Sequence, residues 1–166
     1  WFDEVARDGP DVVASITAML QDEVVDRIVA APETAAYGRL SIATQSFGAV
    51  ERILRAPAAA FTPPPKIASA VFRLDVRGLD AGVAWSELQM VTAAAFGQRR
   101  KTLRNGLRAL GRDSAELCAA AGVDPSLRPE RLSIAGFHAL ARALAARHAG
   151  CARLCAANRS TQSVFS

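Results

Sequence analysis

From Ser69 to Val76 polar and apolar residues alternate, up to the turn residue Gly78. That alternation predicts a strand with one face buried. Val12 to Leu20 is different: nearly continuous apolar sequence, rich in β-branched residues. Such a run suits a strand buried on both faces, as in a parallel sheet. In the stretch from Gln21 to Ala31, Val24, Val25, Ile28 and Val29 fall at helical spacing, with Asp22 and Glu23 in the first turn. Acidic residues there complement the helix dipole, and Pro32 stops the helix. Gly38 to Phe47 predicts a second short helix with Leu40, Ile42 and Ala43 inward, and Ala49 to Leu54 a strand ended by Arg55-Ala56-Pro57. Strand, helix, helix, strand, proline loop, strand is the order expected of the second half of an α/β sheet.

Gly78-Leu79-Asp80-Ala81-Gly82 reads as a linker, and the pattern beyond it is helical. Trp85 to Phe96 places Leu88, Val91, Thr92, Ala95 and Phe96 on one side, and Lys101 to Leu110 carries Leu103, Leu107 and Leu110. Asp113-Ser114-Ala115-Glu116 has capping-box spacing, Gly122 closes the helix that follows, and Val123 to Arg131 is a loop. Ser133 opens a last helix whose stripe is Ile134, Phe137, Leu140, Ala141 and Leu144. Cys151 to Ser166 shows no stripe and predicts a frayed tail, and Trp1 to Pro10 is polar, ending in a turn. The expected organisation is a partial α/β domain over residues 1–77, a small all-α domain over 83–148 and a tail over 149–166.

Composition narrows the class of partner. The chain has 166 residues, 51% hydrophobic and 22% charged, which is globular rather than disordered. Net charge is +4, favouring an acidic partner. The charge is concentrated: Arg99, Arg100, Lys101, Arg104, Arg108 and Arg112 lie between Gly97 and Arg112 with no acidic residue among them. Arg100, Arg104, Arg108 and Arg112 recur every four residues, one stripe if the segment is helical. Like charges at that spacing repel, so the stripe calls for phosphate groups, which arginine grips bidentately. The competing reading is a solvated basic face. A membrane surface would want Trp or Phe on the opposite side, where only Leu and Ala occur. No apolar run approaches the ~18 residues needed to span a bilayer, and no signal-peptide pattern is present. The chain does not begin with Met and is expected to be a fragment of a longer protein. Cys118, Cys151 and Cys155 form no disulfide framework and read as reduced thiols of a cytoplasmic protein, incidental and at the surface. His148, Cys151 and Cys155 would share a helical face, but structural zinc normally takes four protein ligands, so no metal is expected.

In Phe61-Thr62-Pro63-Pro64-Pro65-Lys66-Ile67-Ala68-Ser69, three prolines fix φ and bias their predecessors away from helix. A stiff loop feeding a strand can hold the ring of Phe61 at a sheet edge. The plainer reading makes Phe61 a core plug. Three further words accompany this loop: Met19-Leu20-Gln21-Asp22-Glu23-Val24-Val25-Asp26-Arg27, Ala36-Tyr37-Gly38-Arg39-Leu40-Ser41 and Ala95-Phe96-Gly97-Gln98-Arg99-Arg100-Lys101-Thr102-Leu103-Arg104-Asn105. This ordered set, from about Val12 to about Ala146, resembles the ribosomal RNA small subunit methyltransferase A family, the dimethyladenosine transferases of small-subunit rRNA. The resemblance implies the C-terminal half of a Rossmann-like S-adenosylmethionine-dependent sheet followed by a helical RNA-binding domain. It implies transfer of methyl groups to two adjacent adenines near the 3′ end of small-subunit rRNA, on a ribosomal precursor, by an enzyme monomeric at full length. It gives Phe61 the catalytic place beside the adenine, and Pro63, Pro65, Lys66, Arg99, Arg100, Lys101, Arg104 and Arg108 contact with RNA.

Two parts of the family pattern are missing. No Gly-x-Gly occurs, so the loop that holds S-adenosylmethionine is absent, and so is the Asn-Leu/Ile-Pro-Tyr motif that accepts from the adenine amino group. Gly97 also stands where relatives often have Asn. The parent is therefore expected to be the enzyme and this chain alone to be inactive. The alternative is a non-catalytic nucleic-acid-binding or ribosome-assembly module derived from the same family. An unrelated helical DNA-binding domain would leave the proline loop and strands unexplained.

Overall fold

A computed structural model of the chain describes residues 13–98, 101–111 and 113–162, with side chains as far as Gly150. Arg99, Arg100, Arg112 and the polar start from Trp1 to Pro10 lie outside the described residues. Three strands form one sheet: β1 (Ser15–Gln21), β2 (Gly48–Ala56) and β3 (Ser69–Val76), in the order β1-β3-β2. β3 is antiparallel to both neighbours, with Gln21 and Ala56 both opposite Ser69. β1 and β2 are therefore parallel to each other, and their carboxyl ends meet at the same rim. β3 alternates as its sequence predicts: Ala70, Phe72, Leu74 and Val76 are buried.

Helix α1 (Asp22–Val29) packs on that buried face with Val25 and Ile28, and Phe47 closes the same core. The opposite face is open. Its registered rows are Thr17–Arg73–Glu51 and Met19–Val71–Leu54. Met19 is 53% exposed and Leu54 49%. The continuous apolar run of β1 therefore does not produce burial on both faces, because one side of the strand has no neighbour and one face of the sheet no cover among the described residues. β2, the other edge, carries Glu51, Arg52 and Arg55 and a register shift between Arg52 and Leu54.

In α2 (Arg39–Gln45) Ile42 is inward as expected, but Leu40 and Ala43 are only half-buried while polar Ser41 and Thr44 are fully so. For Ser41 the reason is the end of α1: its Oγ donates to Arg27 O, and Gln45 Nε2 beside it donates to Ile28 O at 2.8 Å and Ala30 O at 2.9 Å. Side chains of one helix thus satisfy the last carbonyls of the other.

Gly78 and Gly82 take φ of 80° and 77°, the left-handed turns that deliver the chain into α3 (Trp85–Gly97). The expected single helix over Lys101–Leu110 is instead a four-residue α-helix, α4 (Leu103–Gly106), followed by a 3-10 turn over Leu107–Leu110. Gly106 explains the tight approach: a Cβ there would lie 3.1 Å from Ala94 O and 3.2 Å from Ala95 O. Next comes α5 (Ser114–Ala120), where no capping box forms. Ser114 Oγ donates to Arg104 O at 2.8 Å, and Asp113 faces Arg147 at 3.7 Å. Gly122 does close α5, with φ of 64°. The last helix, α6 (Ile134–Gln162), begins after Ser133, whose Oγ accepts from Gly136 N at 3.2 Å. Phe137, Leu140, Ala141 and Leu144 are buried on it, and its backbone remains helical past the expected boundary at 148.

The larger apolar core does not respect the linker. It joins Tyr37 and Ile42 to Leu88, Val91, Leu103, Leu107, Leu117, Phe137 and Leu140. Cys118 belongs to it, so this thiol is a small core residue and not a surface one, and burial raises its pKa.

Candidate functional site

The proline loop joins the end of β2 to the start of β3, so it sits where β1 and β2 deliver their carboxyl ends. In open α/β sheets that rim is where ligands bind. Asp22 N donates to Ala68 O at 3.0 Å, tying the loop's exit to the start of α1. Pro63, Pro65 and Lys66 are exposed and Phe61 is half-buried. Phe61 belongs to neither apolar core. Sequence reasoning offered the ring a place at a sheet edge; the loop that carries it lies at the rim between β2 and β3.

The turn from β1 into α1 is the place where a fold of this kind could cradle a nucleotide with backbone N–H groups. Here it contains no glycine, and the Asp22 N–H is already taken by Ala68 O. The Asp22 carboxylate faces Arg55 at 2.6 Å and Arg52 at 3.4 Å, and Arg52 also pairs with Asp26. These residues do not fit S-adenosylmethionine.

The basic segment forms a second surface. Lys101 and Arg108 line a groove of about 540 Å³ with Gln98, Asn105, Gly106 and Ala109. Arg104 is exposed beside it, its backbone N–H bonded to Pro125 O. The four-residue stripe is not a continuous α-helical one, since the 3-10 turn shifts Arg108 relative to Arg104. Two of its arginines, Arg100 and Arg112, lie outside the described residues, as does Arg99.

Ion pairing separates the cations into two sets. Arg27, Arg52, Arg55, Arg73, Arg128, Arg131, Arg142 and Arg147 face carboxylates within the chain. Among the described residues, Lys66, Lys101, Arg104 and Arg108 have no such partner, and neither do Arg39 and Arg77, which sequence reasoning missed. Arg39 lies in the Ala36–Ser41 motif, but its freedom from acids depends on three-dimensional neighbours.

The seam between the sheet and the helices is polar and specific. His138, 4% exposed, lies 2.8 Å from Ser46 Oγ through Nε2 and 2.8 Å from Asp80 Oδ2 through Nδ1. Arg142 Nε donates to Ala81 O at 3.2 Å. The hydrogen bond from His138, then its charge, holds the Asp80 carboxyl below its ordinary range, with Arg142 adding to the effect. Tyr37 donates its hydroxyl to Leu132 O at 3.0 Å, and burial raises its pKa. Among the described residues no three His, Cys, Asp or Glu side chains gather as a metal site, and no helix is long and apolar enough to cross a membrane.

The last strand of the sheet thus runs antiparallel between two parallel ones, and helices follow it, an α/β fold shared with solved methyltransferases. A dimethyladenosine transferase from Plasmodium falciparum superposes with a TM-score of 0.67 over 83% of this chain and 59% of its own, at 18% identity. The 23S rRNA methyltransferase ErmE gives 0.51 over 79% and 55%, at 20% identity. The family profile Ribosomal RNA adenine dimethylase matches residues 6–146, and the chain belongs to that family. Ribosomal RNA small subunit methyltransferase A of Phenylobacterium zucineum is 51% identical over 146 residues, 84% of this chain and 48% of the relative. Its namesake in Rhodospirillum rubrum is 54% identical over 127 residues, 76% and 44%. The chain thus spans about half the length of the curated relatives it matches.

Proposed function

We propose that this chain is the substrate-holding half of an rRNA adenine N6,N6-dimethyltransferase, with S-adenosyl-L-methionine as methyl donor bound by a part of the protein outside this sequence. The substrate is small-subunit rRNA in a ribosomal precursor, modified at two adjacent adenines near its 3′ end. The protein acts in the cytoplasm as a monomer. The observation that carries the reading is the position of Phe61: off both cores, at the carboxyl ends of β1 and β2. An adenine amino group is a poor nucleophile, because its lone pair is delocalised into the ring. Its methylation needs the base out of its stack and held in place. A fixed aromatic face supplies ~1–3 kcal/mol for a stacked base. Pro63, Pro65 and Lys66 hold that ring and meet the backbone beside it, while Lys101, Arg104 and Arg108, with Arg99 and Arg100, neutralise phosphates further along.

The test is Phe61→Leu against Phe61→Tyr in the full-length protein. Leu keeps the apolar volume, and stability should change by less than about 1.5 kcal/mol. Methyl transfer should fall by one to two orders of magnitude, the equivalent of ~1–3 kcal/mol. Tyr keeps the ring and should retain most activity. Wild-type transfer by Phe61→Leu would remove the stacking role.

A further inference from the structure

Ser46, His138 and Asp80 form a hydrogen-bonded row for which the methyl-transfer reading has no use. Asp80 Oδ2 lies 2.8 Å from His138 Nδ1, and His138 Nε2 lies 2.8 Å from Ser46 Oγ. An ionised carboxylate only accepts, so Nδ1 carries the proton of a neutral ring. Nε2 then keeps its lone pair, and Ser46 Oγ donates to it. This is the order of partners that activates a serine: a hydroxyl, a base, and a carboxylate that fixes the tautomer of the base. Burial holds the first two in place, since Ser46 is 5% exposed and His138 4%.

The row opens on a cleft of about 370 Å³, lined by all three residues together with Ile134 and Ala135. It lies at the rim where β2 begins and β3 ends, opposite the rim of the proline loop. Ile134 and Ala135 start α6, and the first N–H groups of a helix have no acceptor within it. Gly136 N donates to Ser133 Oγ and Phe137 N to Ser133 O, while Ile134 N and Ala135 N have no acceptor among the described residues. Unpaired amides at the positive end of a long helix suit an oxygen that becomes negative during a reaction. We propose that Ser46, His138 and Asp80 form a second, hydrolytic site that cleaves small carboxylic esters. Ser46 Oγ bonds to the carbonyl carbon as its proton passes to His138 Nε2, and the carbonyl oxygen takes the negative charge beside Ile134 and Ala135. The bond to the alcohol oxygen breaks, that oxygen takes the proton from Nε2, and the acyl group stays on Ser46. Water then attacks the acyl group in the same way, releasing the acid and free Ser46. Asp80 acts through His138 and is a positioning residue. The site is independent of the RNA reading and stands or falls without it.

The full-length protein is compared with its Ser46→Ala and Asp80→Asn variants, with p-nitrophenyl acetate as probe. Nitrophenol release is followed by absorbance, acetylation of the Ser46 peptide by mass spectrometry, and thermal unfolding alongside. The unchanged protein should release nitrophenol faster than buffer and carry acetyl on Ser46. Ser46→Ala should lose about a hundredfold in rate or fall to the buffer rate. If Ser46→Ala does not fold, Asp80→Asn decides, because its side chain is exposed: it should lower kcat and leave KM, as loss of a fixed tautomer does. A row with only a structural role predicts lower unfolding temperatures and no change in release. Wild-type release by folded Ser46→Ala or by Asp80→Asn, or a parent protein no faster than buffer, overturns the proposal.

Discussion

The two apolar cores of the molecule close differently. The larger core, which the helices share with Tyr37 and Ile42, encloses Leu103, Leu107, Leu117, Phe137 and Leu140, each 1% exposed or less. The sheet buries one face against α1 and presents Met19, Val71 and Leu54 in a row on the other. Its edges differ as well. β2 carries charges and a bulge, the usual defences of an edge strand, whereas Ser15-Ile16-Thr17-Ala18-Met19-Leu20-Gln21 has neither charge nor proline. Cohesion therefore resides in the helices, and the tendency to associate resides in the sheet.

Breaking the closed core should have the largest effect. Phe137→Ala removes a fully buried ring from the centre of the helical unit, and cores of this kind lose about 3–5 kcal/mol on such truncation. Denaturant unfolding of the full-length protein measures it. The seam should come next. His138→Ala leaves Ser46 Oγ without its partner in a buried place, an expected loss of about 1–3 kcal/mol in the same measurement. On the open face the order of effects reverses. Met19→Lys with Leu54→Lys should change stability by no more than about 0.5 kcal/mol each while suppressing self-association of the 166-residue chain, read by sedimentation. A monomeric wild-type chain of high two-state stability would break the comparison.

The smallest effect concerns pH. The Asp80 pKa is lowered in the folded protein, so its contribution is present above the ordinary carboxylate range and lost as pH falls through its folded value. Because Asp80 is largely exposed, that contribution should be under about 1 kcal/mol. Asp80→Asn should flatten the acid limb of the stability curve by that amount.

What could be read in advance followed from local pattern. The alternation in β3, the stripe of α6 and the halt at Pro32 each depend on neighbours in sequence, and each appears in the structure. The misreadings all needed distant partners. Lys101 to Leu110 looked like one helix, but Gly106 packs against the backbone of α3 and the turn tightens there. Ser41 and Thr44 are buried although polar, and for Ser41 the reason is a carbonyl of α1, fourteen residues back. Asp113 and Glu116 had the right spacing for a cap, yet Ser114 bonds Arg104 O instead. For the candidate site the words in the sequence pointed to the proline loop and the basic segment. They could not show which cations are neutralised internally, and that distinction brought Arg39 forward.

The chain has a single tyrosine, and the fold has placed it where the two units meet. Burial raises the pKa of its phenol above the ordinary value of 10.0. Tyrosinate absorbs at longer wavelength than the neutral ring, so this residue is an optical gauge of docking. While Tyr37 still donates to Leu132, solution brought to the ordinary tyrosine pKa should leave the ultraviolet spectrum unchanged. Absorbance should rise near the ordinary tyrosine pKa only in molecules whose larger core has opened around Tyr37, and a stopped-flow jump to high pH would then clock that opening without any attached label.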